Sequence, residues 1–173
     1  MKGEAAKLNE TRDRFVAQWG VMGTQWGINR TMAQIHALLM TSPEPMSTDE
    51  VMEELHISRG NAHTNLKELV NWGLLRIVTR KGERKEYFEA ELDVWEIFRR
   101  IVKERKRREL DPALDLLEDC MTESKGMTTA GGRAFHEQMK SLEEFVHFAS
   151  KMSDRVGSMP HGKTMKLALK LFG

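Results

Sequence analysis

With 173 residues, 40% of them hydrophobic and 31% charged, the chain has the size of one globular domain, or of one small domain with helical additions, and enough apolar residues for a real core. Its formal charge is only +1, so overall basicity announces no nucleic-acid partner, and any such role must rest on a local patch. The single cysteine, Cys120, excludes an intramolecular disulfide and a cysteine-rich zinc site.

The segment "MKGEAAKLNETRDRF" lacks the apolar run of a secretory signal, and no stretch approaches the ~18 apolar residues of a membrane span. A cytoplasmic protein without a membrane partner is the expectation. From Glu4 to Gly27, the regular spacing of Leu8, Phe15, Trp19, Met22 and Trp26 predicts a helix with an apolar seam. Gly20, Gly23 and Gly27 lower helix propensity there and point to a bend or to unusually close packing. A second helix, roughly residues 28–40, presents Met32, Ile35, Leu38 and Leu39, and the two prolines of "TSPEP" stop it.

Ser47 and Glu50 in "STDEVMEEL" form an S-x-x-E capping box, and Val51, Met52 and Leu55 supply the buried side of the helix it starts. After the tight "HIS" connection, Ser58 reads as another N-cap, for a helix over about 58–72 that Gly73 closes. Ala62, Leu66, Leu69 and Val70 fall within one ~100° arc of this helix. The opposite side carries Gly60, Thr64, Lys67 and Asn71, flanked by Asn61, His63 and Glu68. The pattern is helix, short turn, second helix.

In "LLRIVTRKGERKEYFEA" the period changes to strand-like alternation, with a hairpin turn at "KGE". From Asp93 the chain is helical again, with Val94, Trp95, Ile97, Phe98, Ile101 and Val102 on one side until a basic cluster takes over. Pro112 restarts a short helix to about Thr122, and "ESKGMTTAGG" reads as a flexible connection. Phe135, Met139, Leu142, Val146 and Ala149 then keep a coiled-coil-like seam. After "MPHGK", "TMKLALKLF" is a last amphipathic piece.

A helix has the right width for the DNA major groove, where Asn, Arg, Lys, Thr and Ser side chains read base edges. The N-terminal residues of such a helix are the ones that reach bases, here Arg59, Asn61, His63 and Thr64, with Lys67 one turn on. Local charge agrees. Between His56 and Phe88, seven Lys and Arg oppose three Glu, a surplus of four. Four of those cations, Arg80, Lys81, Arg84 and Lys85, flank the hairpin turn and make a cationic fork suited to phosphates or a minor groove.

Other features read more plainly. "RRIVKERKRREL" is a solvated basic face of a long helix, with a nucleic-acid or lipid contact as the alternative. The four Trp residues suit packing better than an aromatic cage for a cationic ligand. The six His residues have no metal-ligand spacing, and Cys120 reads as a buried structural thiol. No paired-carboxylate motif and no Gly-rich phosphate loop is present, so neither an enzyme nor a cofactor is expected.

The run from Trp19 to Ala90 resembles the GbsR branch of the MarR-type winged helix-turn-helix transcription regulators. The paired "WG" dipeptides, "PxP" before a capped helix, "SRGN" opening the next helix, "NWGLL" closing it and "G-x-R-K-x-Y-F" in the hairpin carry the resemblance. It implies a mainly α fold: a three-helix core with a β-hairpin wing over 28–91, and helices at 1–27 and 92–173 forming a dimerisation region. It also implies a homodimeric prokaryotic repressor or activator on a palindromic operator of double-stranded DNA, open to a small-molecule effector. The family pattern puts DNA-facing residues at Ser58, Arg59, Asn61, His63, Thr64 and Lys67, and at Arg80, Lys81, Arg84 and Lys85 in a wing from Arg76 to Glu89. One departure is Asn29, where related sequences often carry Pro. The competing reading is a winged-helix protein-interaction adaptor with no specific operator.

Overall fold

Four side-chain oxygens fix where four of the helices begin. Asn29 Oδ1 accepts from the Met32 amide at 3.1 Å, Ser47 Oγ from Glu50 at 3.4 Å, Ser58 Oγ from Asn61 at 3.3 Å and Thr129 Oγ1 from Gly132 at 3.1 Å. Each satisfies an amide that the first helical turn leaves without a partner. In the computed structural model, which describes residues 2–158, the elements run α1 (Lys2–Gln25), α2 (Arg30–Thr41), β1 (Met46–Ser47), α3 (Thr48–Leu55), α4 (Arg59–Asn71), β2 (Leu75–Thr79), β3 (Glu86–Ala90), α5 (Val94–Arg105), a π-helical turn (Lys106–Leu110), α6 (Asp111–Ser124) and α7 (Ala130–Gly157). They divide into two compact units, residues 1–97 and 98–173.

In the first unit, α2 is the central helix, with Ile35, Ala37, Leu38 and Leu39 buried, and Val51, Ala62, Leu66, Leu69, Leu74 and Phe88 complete the core. The sheet has three antiparallel strands in the order β1-β3-β2, with Ile77 opposite Phe88 and Met46 on the other side of Phe88. The expected hairpin is present, and the two-residue strand β1 is an addition that is too short to leave a periodic signal.

The α1 seam does not close on α2. Leu8 is 68% exposed and Phe15 and Trp26 are exposed too, while Val16, Gly20 and Gly23 are buried. A Cβ on Gly23 would lie 2.5 Å from the Ala33 Cβ, and one on Gly20 would lie 2.5 Å from Gln34 Cγ. The glycines permit the close approach, and the aromatic side is left outward, where Trp19 packs edge-on to Trp26 at 5.8 Å and beside Phe15 at 5.3 Å. Asn29, in place of Pro, acts as the N-cap of α2.

The buried arc of α4 also differs from expectation. Asn65 is buried with Ala62, Leu66 and Leu69, and Val70 is only half-buried. Beneath the helices, His36 is 5% exposed and its Nε2 has no hydrogen-bond partner; burial holds its imidazole down at about 4.

In the second unit, the helix expected from Pro112 to about Thr122 is α6 (Asp111–Ser124), but the chain enters it without a break. The helix continues through a π turn in which the Asp111 amide bonds Lys106 O, and Pro112 sits in the first turn of α6. Proline has no N–H to give, and the widened turn relieves its ring's clash with the carbonyl four residues back. The basic cluster here is largely paired within itself. Glu104 takes Arg107 at 3.0 Å and Arg108 at 2.6 Å, and Lys106 binds Asp111 at 3.0 Å.

The connection expected at "ESKGMTTAGG" spans only residues 125–129, because the Thr129 cap draws Gly131 and Gly132 into α7. Val94, Phe98, Phe135 and Leu142 are exposed, so the expected faces of α5 and α7 are not fully buried in the single chain. Cys120 is half-buried, at the edge of the α6 face that buries Leu117 and Ser124. "MPHGK" and "TMKLALKLF" lie outside the described residues.

Candidate nucleic-acid interface

The site starts from two caps. Ser47 and Glu50 form a complete capping box, with Glu50 Oε2 accepting from the Ser47 amide at 2.6 Å and from its hydroxyl at 2.7 Å. Those two bonds, with the nearby charges of Arg80 and Lys85, hold the Glu50 carboxyl below its ordinary range. His56 then takes a left-handed conformation, φ 51°, which ends α3, and Ser58 caps α4 two residues later. The chain reverses tightly, and α4 is held by its apolar arc with Arg59, Gly60, Asn61, His63 and Thr64 exposed.

Helix and hairpin form one continuous surface. The Asp49 carboxylate on α3 binds the Arg59 guanidinium through Oδ1 and Lys85 Nζ through Oδ2, at 3.3 Å for the latter. Lys67 Nζ reaches Glu86 at 3.2 Å. The start of α4 and the loop end of the hairpin therefore share a counterion, and the middle of α4 lies beside the start of β3.

Arg80 is a strut. Its Nη2 donates to Pro45 O at 3.3 Å and its guanidinium lies 4.1 Å from the centre of the Tyr87 ring, whose hydroxyl donates to Glu83. Lys81 and Arg84 stand at the exposed tip, and no ion pair ties them to another described residue. Gly82 between them has φ 87°, the left-handed backbone that the turn requires.

All ten residues singled out from the sequence thus fall on the capped helix or the hairpin. Sequence reasoning missed two others. Asp49 gathers Arg59 and Lys85 from ten and thirty-six residues away, a pairing that no local pattern announces. Asn65 donates through Nδ2 to Asn61 O at 2.8 Å and to Asn61 Oδ1 at 2.7 Å. An Asn pair four apart on a helix was its one visible signal.

The second unit holds an open cleft of about 440 Å³ lined by residues that include Ser124, Met127, Arg133, His136 and Glu137. Ser124 Oγ lies 2.8 Å from His136 Nδ1 and also 2.8 Å from Cys120 O. A hydroxyl has one hydrogen. If it goes to the carbonyl, His136 donates to Ser124, and the buried serine is not activated as a nucleophile. Among the described residues, no group of three His, Cys, Asp or Glu could hold a metal ion, and no helix is long and apolar enough to cross a membrane.

Over 120 residues, 69% of this chain, the sequence is 24% identical to the HTH-type transcriptional repressor GbsR of Bacillus subtilis (strain 168), of which the match spans 66%. A solved structure described as that of a transcriptional regulator superposes with a TM-score of 0.55, covering 84% of this chain and 99% of that one at 19% identity. Residues 26–86, from the end of the α1 seam to the first residue of β3, match the MarR family.

Proposed function

We propose that this chain is a DNA-binding transcription regulator that lays α4 in the major groove and sets its hairpin on the adjoining backbone or minor groove. The observation that carries the reading is the shared Asp49 counterion, which brings Arg59 at the start of α4 and Lys85 of the hairpin to one surface. Around it, Asn61, His63 and Thr64 offer hydrogen-bonding groups suited to base edges. Lys81 and Arg84 offer exposed charge suited to phosphates.

The regulator acts as a homodimer on a two-fold symmetric operator. Both units leave large apolar residues in the open, among them Leu8 at 68% and Phe145 at 67% exposure, with Phe148 and Met152 on the same stretch of α7. Such residues in a chain otherwise rich in charge suit burial against a second copy.

Selection of bound fragments from a random DNA pool tests the proposal. The expected product is a palindrome with half-sites about 10 base pairs apart, centre to centre. A pool that stays random after repeated selection would overturn it.

A further inference from the structure

Asn65 is an amide placed among hydrocarbon. It lies in the buried arc of α4 beside Ala62, Leu66 and Leu69, where a polar side chain costs stability unless its hydrogens find acceptors. Both Nδ2 hydrogens do, and both acceptors belong to Asn61: its carbonyl at 2.8 Å and its Oδ1 at 2.7 Å. The Asn61 backbone is held from the other side by the Ser58 cap. Asn61 is therefore fixed in position and in the flip of its amide. Its oxygen turns toward Asn65 and its Nδ2 hydrogens face outward.

We propose that Asn65 is a specificity-determining positioning residue, which locks the Asn61 amide so that the recognition helix presents donors to the base edge it meets. The inference rests on the DNA-binding reading. An unrestrained Asn suits adenine, giving a hydrogen to N7 and accepting one from N6. With its oxygen turned inward onto Asn65, Asn61 presents its Nδ2 hydrogens to the groove and fits a base edge that offers acceptors alone, guanine N7 and O6 first and thymine O4 second.

The test uses the full chain, the selected operator and every single-base-pair variant of it. Asn61→Ala identifies the position that Asn61 reads, where the wild type prefers guanine or thymine. Asn65→Leu, close in volume and unable to donate, flattens the preference at that same position by about 3- to 10-fold, the worth of one hydrogen bond. It leaves the other positions and random DNA unchanged, and the double variant loses no more than Asn61→Ala alone. Should the leucine disturb folding, Asn65→Ala makes the same test with a smaller side chain.

A second readout needs no DNA. By nuclear magnetic resonance, the Asn65 side-chain amide protons exchange slowly in the free protein. Rapid exchange overturns the lock, whatever the chain binds. So does a folded Asn65 variant that keeps full discrimination or loses it evenly at all positions, or a wild type that prefers adenine or cytosine where Asn61 reads. A chain with slow exchange that selects no sequence overturns the DNA-binding reading, and the specificity role falls with it while the lock stands.

Discussion

The body of the interface and the tip of its hairpin handle charge in opposite ways. Along α4, on β2 and at the two ends of the hairpin loop the cations have protein partners: Arg59 and Lys85 on Asp49, Lys67 on Glu86, Arg76 on Glu89 at 2.7 Å, and Arg80 on Pro45 O and the Tyr87 ring. At the tip, Lys81 and Arg84 are exposed with no ion pair to a described residue. Charge already balanced by a neighbour fixes the geometry of a surface. Charge balanced by small ions is what a phosphate contact releases. On the proposed DNA-binding reading, positioning and attraction fall to different residues, some of them neighbours in the chain.

The largest expected effect is on stability and comes from the core beneath both regions. Folded His36 titrates at about 4 against an ordinary 6.5, so between those values the unfolded chain holds the extra proton. Stability is full above pH 7 and falls as pH drops from about 6.5 to 4, by about 3 kcal/mol at most. Urea denaturation at pH 7, 5 and 4 measures it, and His36→Leu removes that slope. Glu50 acts at more acid pH. Its folded carboxyl is depressed, so its contribution is present above the ordinary glutamate range and is lost as pH falls through the lower folded value.

A smaller loss follows from the cap itself. Ser47→Ala removes the acceptor for the Glu50 amide and the hydroxyl that Glu50 holds, at a cost of about 1–2 kcal/mol by thermal or urea denaturation. Unchanged stability would show that the sheet alone positions α3.

Gly60 sharpens the comparison from the other side. A Cβ there meets nothing within 4 Å, so Gly60→Ala in α4 should stabilise the free protein by about 0.5–1 kcal/mol. If DNA approaches the helix closely at this position, the same variant binds its operator more weakly, and opposite signs in the two measurements would mark the contact.

The least change in stability belongs to Asp49→Asn. Its two ion pairs are largely solvent-exposed, and such pairs contribute under about 1 kcal/mol. The substitution releases Arg59 and Lys85 together, so affinity for random DNA rises and its salt dependence steepens. Weaker random-DNA binding in the folded variant would mean that Asp49 serves mainly to aim the two cations.

Much of this was legible in the sequence because it is local. The S-x-x-E box, the Ser58 cap, the alternation of β2 and β3 and the apolar arc of α4 each concern residues within a few positions of one another. What escaped depends on distance or on a choice between faces. The α1 seam has the spacing of any packing helix, and only the closeness of Ala33 to Gly23 reveals that the glycine side meets α2. Asn65 at a core position looks like an interruption until Asn61 supplies its acceptors. Asp49 reads as a first-turn acid of α3, and its second task appears only when the chain has folded Arg59 and Lys85 against it. The π turn at Lys106–Leu110 accommodates a proline that by local rules ends a helix.

The most direct test of the division between reading and attraction is the affinity for operator and for random DNA, measured across a salt series for the wild type, Thr64→Ala and Lys81→Ala/Arg84→Ala. Thr64→Ala should lose ~1–3 kcal/mol on the operator alone and keep its salt slope. The tip variant should weaken both DNAs by similar factors, and in a dimer, where four contacts vanish, the slope of log affinity against log salt should fall by about 3–4 units. A folded tip variant with an unchanged slope, or a Thr64 variant weakened equally on both DNAs, would contradict the account.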